Sequence, residues 1–174
     1  YMTIGSGIGG GWIVDGRLDN GQGLGAAEMG HTWVPDPESG KPIELEQLCS
    51  GWAIGQRARR ATENENSLMI ELAGSVDAID AKTVYAAAER GDEIALRILA
   101  ETCQGLGLAI SNVVALLHPE RVVVGGGVSL MGPLFWEVLR KEVTARSMPV
   151  FAPGVEVVQA ALGEEVVVVG ALYL

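Results

Sequence analysis

Near its start the chain runs Gly5-Ser6-Gly7-Ile8-Gly9-Gly10-Gly11, a glycine-rich stretch set between two apolar segments, Tyr1–Ile4 and Trp12–Val14. Its flanks constrain the fold more than the glycines do. Gly5, Gly7 and Gly10 match G-x-G-x-x-G, but a dinucleotide-binding turn must open a helix so that a pyrophosphate meets the helix N-terminus. Trp12–Val14 reads as a strand instead, and Asp15-Gly16 is a tight-hairpin dipeptide leading to Arg17-Leu18. A Rossmann domain is therefore excluded. A P-loop is excluded too, because no Gly-Lys-Ser/Thr follows. What remains is a glycine-rich hairpin turn in a sheet that is at least partly antiparallel.

Glycine permits φ > 0 and removes side chains that hold a ligand away from the backbone. Successive N–H groups can then converge on phosphate oxygens, and the Ser6 hydroxyl adds a donor. By itself the stretch fits equally a hairpin with no ligand. A second run, Gly125-Gly126-Gly127, follows the apolar segment Arg121–Val124 and precedes helical spacing over Met131–Arg146. It lies at the carboxyl end of a strand, where α/β sheets bind ligands. Alone it reads more simply as a close-packed strand–helix turn. The two turns together point to a nucleotide cleft between them.

Elsewhere, Asn20–Gly30 is rich in glycine and alanine, Thr32–Val34 is a short strand and Pro35–Pro42 a loop. From Leu45 to Thr62 apolar residues recur at helical spacing (Leu45, Leu48, Cys49, Trp52, Ala53). Asp80–Arg90 is a short helix stopped at Gly91. Asp92 caps a long helix in which Ala95, Ile98, Leu99, Cys103, Leu106, Ile110, Val113, Val114 and Leu117 form one buried stripe. Gly105 and Gly107 weaken that helix by about 1 kcal/mol each relative to Ala, which is tolerable where another backbone packs closely. Pro119 ends it. Val155–Val158 is a further strand and Val166–Leu174 a final helix. A hairpin followed by helix–strand–helix–strand–helix means an α/β domain, and 174 residues suit one domain or slightly more.

Charge and cysteine usage narrow the function classes. The net charge is -10, so a phosphate-neutralising surface for nucleic acid is not expected. The same acidity argues that bound phosphates come with Mg²⁺. Cys49 and Cys103 lie in helical apolar patterns and read as two buried thiols, which fits a reducing cytoplasm. No segment of this sequence has the charged start, apolar middle and small-residue cleavage site of a secretory signal, and no apolar run in it reaches the roughly 20 residues that span a bilayer.

Glu28 and His31 stand three residues apart, on one side of a turn or helix. Glu46 follows the proline loop at a helix start. Two carboxylates and an imidazole can hydrogen-bond several sugar hydroxyls, or bind a metal. The plainer alternative is a helix-start Glu46, a surface Glu28 and a locally satisfied His31.

The ordered set Met2-Thr3-Ile4-Gly5-Ser6-Gly7-Ile8-Gly9-Gly10-Gly11, Val14-Asp15-Gly16 and Glu28-Met29-Gly30-His31 resembles the ROK family (repressors, open reading frames and sugar kinases). Glu46-Gln47-Leu48-Cys49-Ser50-Gly51 and Pro119-Glu120-Arg121-Val122-Val123-Val124-Gly125-Gly126-Gly127-Val128 extend the resemblance over nearly the whole chain. It implies an actin/hexokinase-like (ribonuclease H-like) ATPase fold, with a mixed sheet flanked by helices. The implied activity is phosphoryl transfer from Mg-ATP to a hexose hydroxyl, glucokinase-like. Gly5, Ser6, Gly7, Ile8, Gly9, Gly10 and Gly11 would contact ATP phosphates, Gly125, Gly126 and Gly127 would lie near the adenosine, and Glu28, His31 and Glu46 would hold sugar hydroxyls. A homodimer is implied as well.

Two departures qualify this. The family binds structural zinc through the His of its Glu-x-Gly-His motif and three cysteines of a Cys-x-Cys-Gly-x-x-Gly-Cys-x-Glu loop. Here Pro37, Ser39 and Glu44 stand at the cysteine positions, with Gly40 matching, so no zinc is expected. Pro35, Pro37 and Pro42 would stiffen the loop instead. The family kinases also carry a catalytic Asp just before the opening strand, and an N-terminal lobe with an Asp-x-Gly-Gly loop; neither is in this sequence. The expectation is the C-terminal half of a sugar kinase over residues 1–174, without its N-terminal lobe and inactive alone. The alternatives are the sugar-sensing domain of a ROK transcriptional repressor and a non-catalytic structural homologue.

Overall fold

A computed structural model describes residues 1–23, 25–63 and 65–163. Strands β1 (Met2–Ile4) and β2 (Ile8–Gly10) pair antiparallel, with Ile4 opposite Ile8. The glycine-rich stretch is thus a turn only over Gly5–Gly7. Ile8–Gly10, expected as part of the turn, is a strand, because its backbone groups find partners along β1. β3 (Trp12–Val14) and β4 (Arg17–Asp19) form the expected hairpin. Asp15 (φ 51) and Gly16 (φ 73) both take left-handed conformations at its tip, as a two-residue hairpin loop requires.

The next segment makes a short 3-10 turn, Met29–His31. β5 (Trp33–Pro35) and β6 (Pro42–Glu44) then pair with Pro35 opposite Pro42. The proline loop is therefore the tip of a second hairpin. The helical pattern from Leu45 to Thr62 divides at Ser50 into α1 (Leu45–Cys49) and α2 (Gly51–Thr62). Ser50 has extended backbone, and its hydroxyl accepts the Ala53 N–H at 3.2 Å, capping α2. Trp52, counted in the apolar stripe, is 59% exposed. A helix not anticipated, α3 (Leu68–Ala73), is capped by Ser67 and stopped by Gly74 at φ 80.

α4 (Ala81–Glu89) starts from Asp80, and α5 (Glu93–Leu117) from Asp92, whose carboxylate accepts the Ala95 N–H at 2.9 Å. α5 ends at His118 in the left-handed region, with Pro119 after it. By length and composition α5 would suffice to cross a membrane, but it is the central core helix, packed against α1, α2, α4 and α6 (Pro133–Arg146). Its two interior glycines mark close approaches. A Cβ on Gly107 would stand 2.6 Å from the Glu142 Cβ and 3.1 Å from the Glu142 carbonyl carbon on α6. On Gly105 the neighbours are side chains, with Cys49 Sγ at 2.7 Å. Both cysteines are free and buried, and burial pushes the Cys49 thiol up to about 12.

β7 (Arg121–Gly125) inserts parallel beside β1, and β8 (Glu156–Gln159) parallel beside β7. The main sheet has the order β2-β1-β7-β8. The helix expected over Val166–Leu174 lies outside the described residues.

Candidate functional site

Parallel pairing of β1 and β7 (Thr3 opposite Gly125) sends both glycine turns out of the sheet at the same end. A Cβ on Gly126 would overlap the Ile4 backbone at 2.5 Å from its carbonyl oxygen, so only glycine lets the turns meet. The start of α2 joins them: the Gly51 N–H donates to the Gly5 carbonyl at 2.7 Å. Gly5, Ser6, Gly51 and Gly127 line one cavity of about 650 Å³, together with Trp52, Asp80, Lys82, Tyr85 and Leu130 among others.

Not all the predicted residues reach it. Ile8, Gly9 and Gly10 belong to the sheet. Gly125 is buried under the Tyr1 ring, which occupies the space of a side chain there. Gly11 and Glu28 line a separate cavity of about 180 Å³ with Tyr1 and Trp12. Two different demands therefore lie behind the glycines. Gly10, Gly30 and Gly126 admit backbone that a Cβ would hit. Gly5 and Gly127 line the cavity, and a Cβ there meets nothing within 4 Å.

Glu46 and the turn that carries His31 meet β2, while Glu28 lines the smaller cavity with Tyr1 and Trp12. The Glu46 carboxylate, in the first turn of α1, accepts the Ile8 N–H at 2.6 Å. The Met29–His31 turn rests on the same strand, with Gly30 against the Ile8 carbonyl. Glu28, immediately before that turn, is exposed. His31 is exposed as well, and its Nδ1 lies 3.4 Å from Glu44 Oε2.

The zinc donor set that the resemblance implies does not fit. Pro37 has no donor atom. The Ser39 hydroxyl donates to Asp36, and Glu44 faces His31. The hairpin closes on itself: Asp36 also accepts the N–H groups of Glu38 at 3.3 Å and Ser39 at 3.2 Å, and its own N–H donates to the Lys41 carbonyl at 2.8 Å. The Ser39 hydroxyl above all holds the Asp36 carboxyl below the usual range; burial opposes it, and the N–H groups of Glu38 and Ser39 add to the lowering.

Trp52, Asp80, Lys82 and Tyr85 were not anticipated. Asp80 has a visible signal as a helix cap; its Oδ1 accepts the Thr83 N–H and hydroxyl at 2.8 Å each. Trp52 carries none, since its spacing is that of a core residue.

The ROK family model matches residues 1–174. The chain belongs to the ROK family. Its actin/hexokinase-like α/β fold is shared with a ROK glucokinase from Streptomyces griseus, solved with glucose and AMPPNP. That structure superposes with a TM-score of 0.82 at 33% identity, covering 98% of this chain and 57% of that one. A glucokinase of Thermotoga maritima is 35% identical over 98% of this chain and 55% of its own length. A xylose repressor of Caldicellulosiruptor bescii is 26% identical over 99% of this chain and 44% of its own. This ROK chain thus spans about half the length of the relatives it matches.

Proposed function

We propose that the chain is the C-terminal half of an ATP-dependent hexose kinase of glucokinase type. Its Gly5–Gly7 and Gly127 turns take the ATP phosphates, and Glu28, His31 and Glu46 take sugar hydroxyls. The observation that carries this reading is the pair of cavity glycines, Gly5 and Gly127. Neither a positive φ nor a neighbouring atom requires glycine there, so the space a Cβ would fill is available to a ligand. The 33% identity to a glucokinase solved with glucose and AMPPNP supports the same assignment.

The residues fit Mg²⁺ carried on the nucleotide. Among the described residues Asp80 is the one carboxylate in the cavity lining, and its Oδ1 caps α4; phosphate oxygens and water would supply most of the cation's ligands. The Asp that the resemblance makes the catalytic base is not among these 174 residues, and proton transfer to such a base is worth roughly 10²–10⁴-fold. The chain alone is therefore inactive in this proposal, which also places it in the cytoplasm as a homodimer.

The test is calorimetry of the chain with Mg-AMPPNP and with a panel of hexoses, followed by coupled ATP turnover. Binding of AMPPNP and of one hexose, without turnover, is the expected result. Hexose-dependent turnover would refute the claim of inactivity. Sugar binding with no nucleotide binding would instead favour the sugar-sensing domain of a regulator, the reading that the xylose repressor supports.

A further inference from the structure

We propose that Arg57 is a positioning residue for the sugar site: its buried guanidinium fixes the end of α1 and so sets where the Glu46 carboxylate, at the start of α1, stands. This rests on the sugar-binding reading of Glu46 and goes beyond it to what places that residue. α1 cannot place itself. It has five residues, Leu45–Cys49, and a helix so short is held by its tertiary contacts rather than by its own hydrogen bonds.

Those contacts lie at both ends. At the start, Glu46 accepts the Ile8 N–H at 2.6 Å. At the end, Arg57 Nη1 donates to the Leu48 carbonyl at 3.4 Å and to the Thr102 hydroxyl at 3.3 Å, and Nη2 donates to Glu101. A cation suits the last turn of a helix, where carbonyls lack intrahelical partners. The Thr102 hydroxyl is itself oriented, donating to the Ile98 carbonyl at 2.8 Å, and the Thr102 carbonyl accepts from Cys49 Sγ at 3.4 Å. One stretch of α5 therefore holds α1 twice, through Cys49 and through Arg57. Glu38, at the tip of the hairpin that leads into α1, lines a cavity of about 150 Å³ with Arg57, Arg97 and Glu101.

Among the described residues Arg57 is the one buried charged side chain, 6% exposed. Stability alone is a weak reason for it. Desolvating both charges cancels most of what their attraction returns, and an apolar pair of similar volume often serves as well. An apolar side chain cannot fix three acceptors on two helices at once. The rigid fork of arginine does, and the point charge of lysine does so incompletely.

The experiment compares wild type, Arg57→Lys, and the double variant Arg57→Met with Glu101→Gln, in which neither charge is left buried and unpaired. Urea unfolding reads stability, and amide NMR reads the Ile8 N–H, the partner of Glu46. Calorimetry reads affinity for glucose, mannose, fructose and N-acetylglucosamine in turn. The double variant should be as stable as wild type. Its Ile8 amide proton should move upfield as the Glu46 bond weakens, and affinity for the sugar bound by wild type should fall about ten-fold, the worth of one hydrogen bond to a charged group. Arg57→Lys keeps a cation beside Glu101 and should show both changes to a smaller degree, which decides the matter if the double variant does not fold. An unmoved Ile8 amide, or wild-type sugar affinity in the folded variants, overturns the positioning role and leaves the sugar reading standing. Wild type binding none of the four sugars overturns the sugar reading and this inference with it.

Discussion

Glu46 accepts the backbone N–H of Ile8 at 2.6 Å, and Gly7, beside that bond, has no side chain because a Cβ would lie 2.5 Å from the same carboxylate oxygen. One carboxylate thereby fastens the glycine turn to the first turn of α1. Glu46→Ala leaves a half-buried amide unpaired, a cost of about 1–3 kcal/mol. Glu46→Gln keeps an acceptor and should stay within about 0.5 kcal/mol of wild type, while losing the charge that a sugar hydroxyl would meet. Urea unfolding and hexose calorimetry on both variants separate the two roles. Equal stability of Glu46→Ala and wild type would show that the bond carries no weight.

The two demands on glycine give a paired prediction. Gly107→Ala drives a methyl into the α6 backbone and should cost about 1–3 kcal/mol. Gly5→Ala meets no atom, and a loss of unfolded-state entropy should leave stability unchanged or raise it by up to about 1 kcal/mol. Its AMPPNP affinity should nevertheless fall. A Gly5→Ala protein that binds AMPPNP as wild type does would remove the ligand-based reason for that glycine.

Asp92 sets a pH dependence. Burial works to raise its pKa, but donors from Ala95, Ser67, Leu68 and Ile94 outweigh it and hold the folded carboxyl below its ordinary value. The unfolded value is about 3.9. The contribution is therefore complete above that value and is lost as pH falls through the lower, folded one. The urea midpoint should be flat near neutrality and decline below about pH 4. Asp92→Asn should start lower and decline less steeply; an identical acid limb in both proteins would assign the titration elsewhere.

The β5–β6 hairpin should owe nothing to metal. Atomic emission should find no stoichiometric zinc in the purified protein, and EDTA should leave the thermal midpoint in place. Asp36→Ala, which removes the acceptor for two N–H groups and the Ser39 hydroxyl, should lower it. A midpoint that drops with EDTA contradicts the self-closed hairpin.

Elements governed by local pattern were readable from the residues. The α5 stripe as far as Val114, its Asp92 cap and its stop before Pro119 are local facts, as is the Asp15-Gly16 turn; Leu117, expected in the stripe, is exposed because no described element packs over it. The strand leading into Gly125 was legible as an apolar run between a proline and glycines. Ser50 was not, since a serine within continuous helical spacing becomes a break only when its hydroxyl caps the next turn. Ile8–Gly10 is a strand by virtue of β1 alongside it, against the preferences of its glycines. Prolines at 35 and 42 suggested a loop because they cannot donate to a ladder; a two-stranded hairpin leaves them free edges. Of the cavity lining, the glycine turns were visible, whereas Trp52 and Tyr85 come to it only through the packing of α2 and α4.

The meeting of Gly126 with Ile4, and of Gly51 with Gly5, has a consequence for sequence length. Both meetings are close backbone approaches, so one added residue at Gly125–Gly127 would displace Gly126 from Ile4, and one at Gly5–Gly7 would displace the Gly51–Gly5 bond. Insertions should be accepted at the exposed tips of the β3–β4 and β5–β6 hairpins. At Gly5–Gly7 and Gly125–Gly127 the spacing itself is fixed, and of the glycines there only Gly5 and Gly127 leave open room for a Cβ.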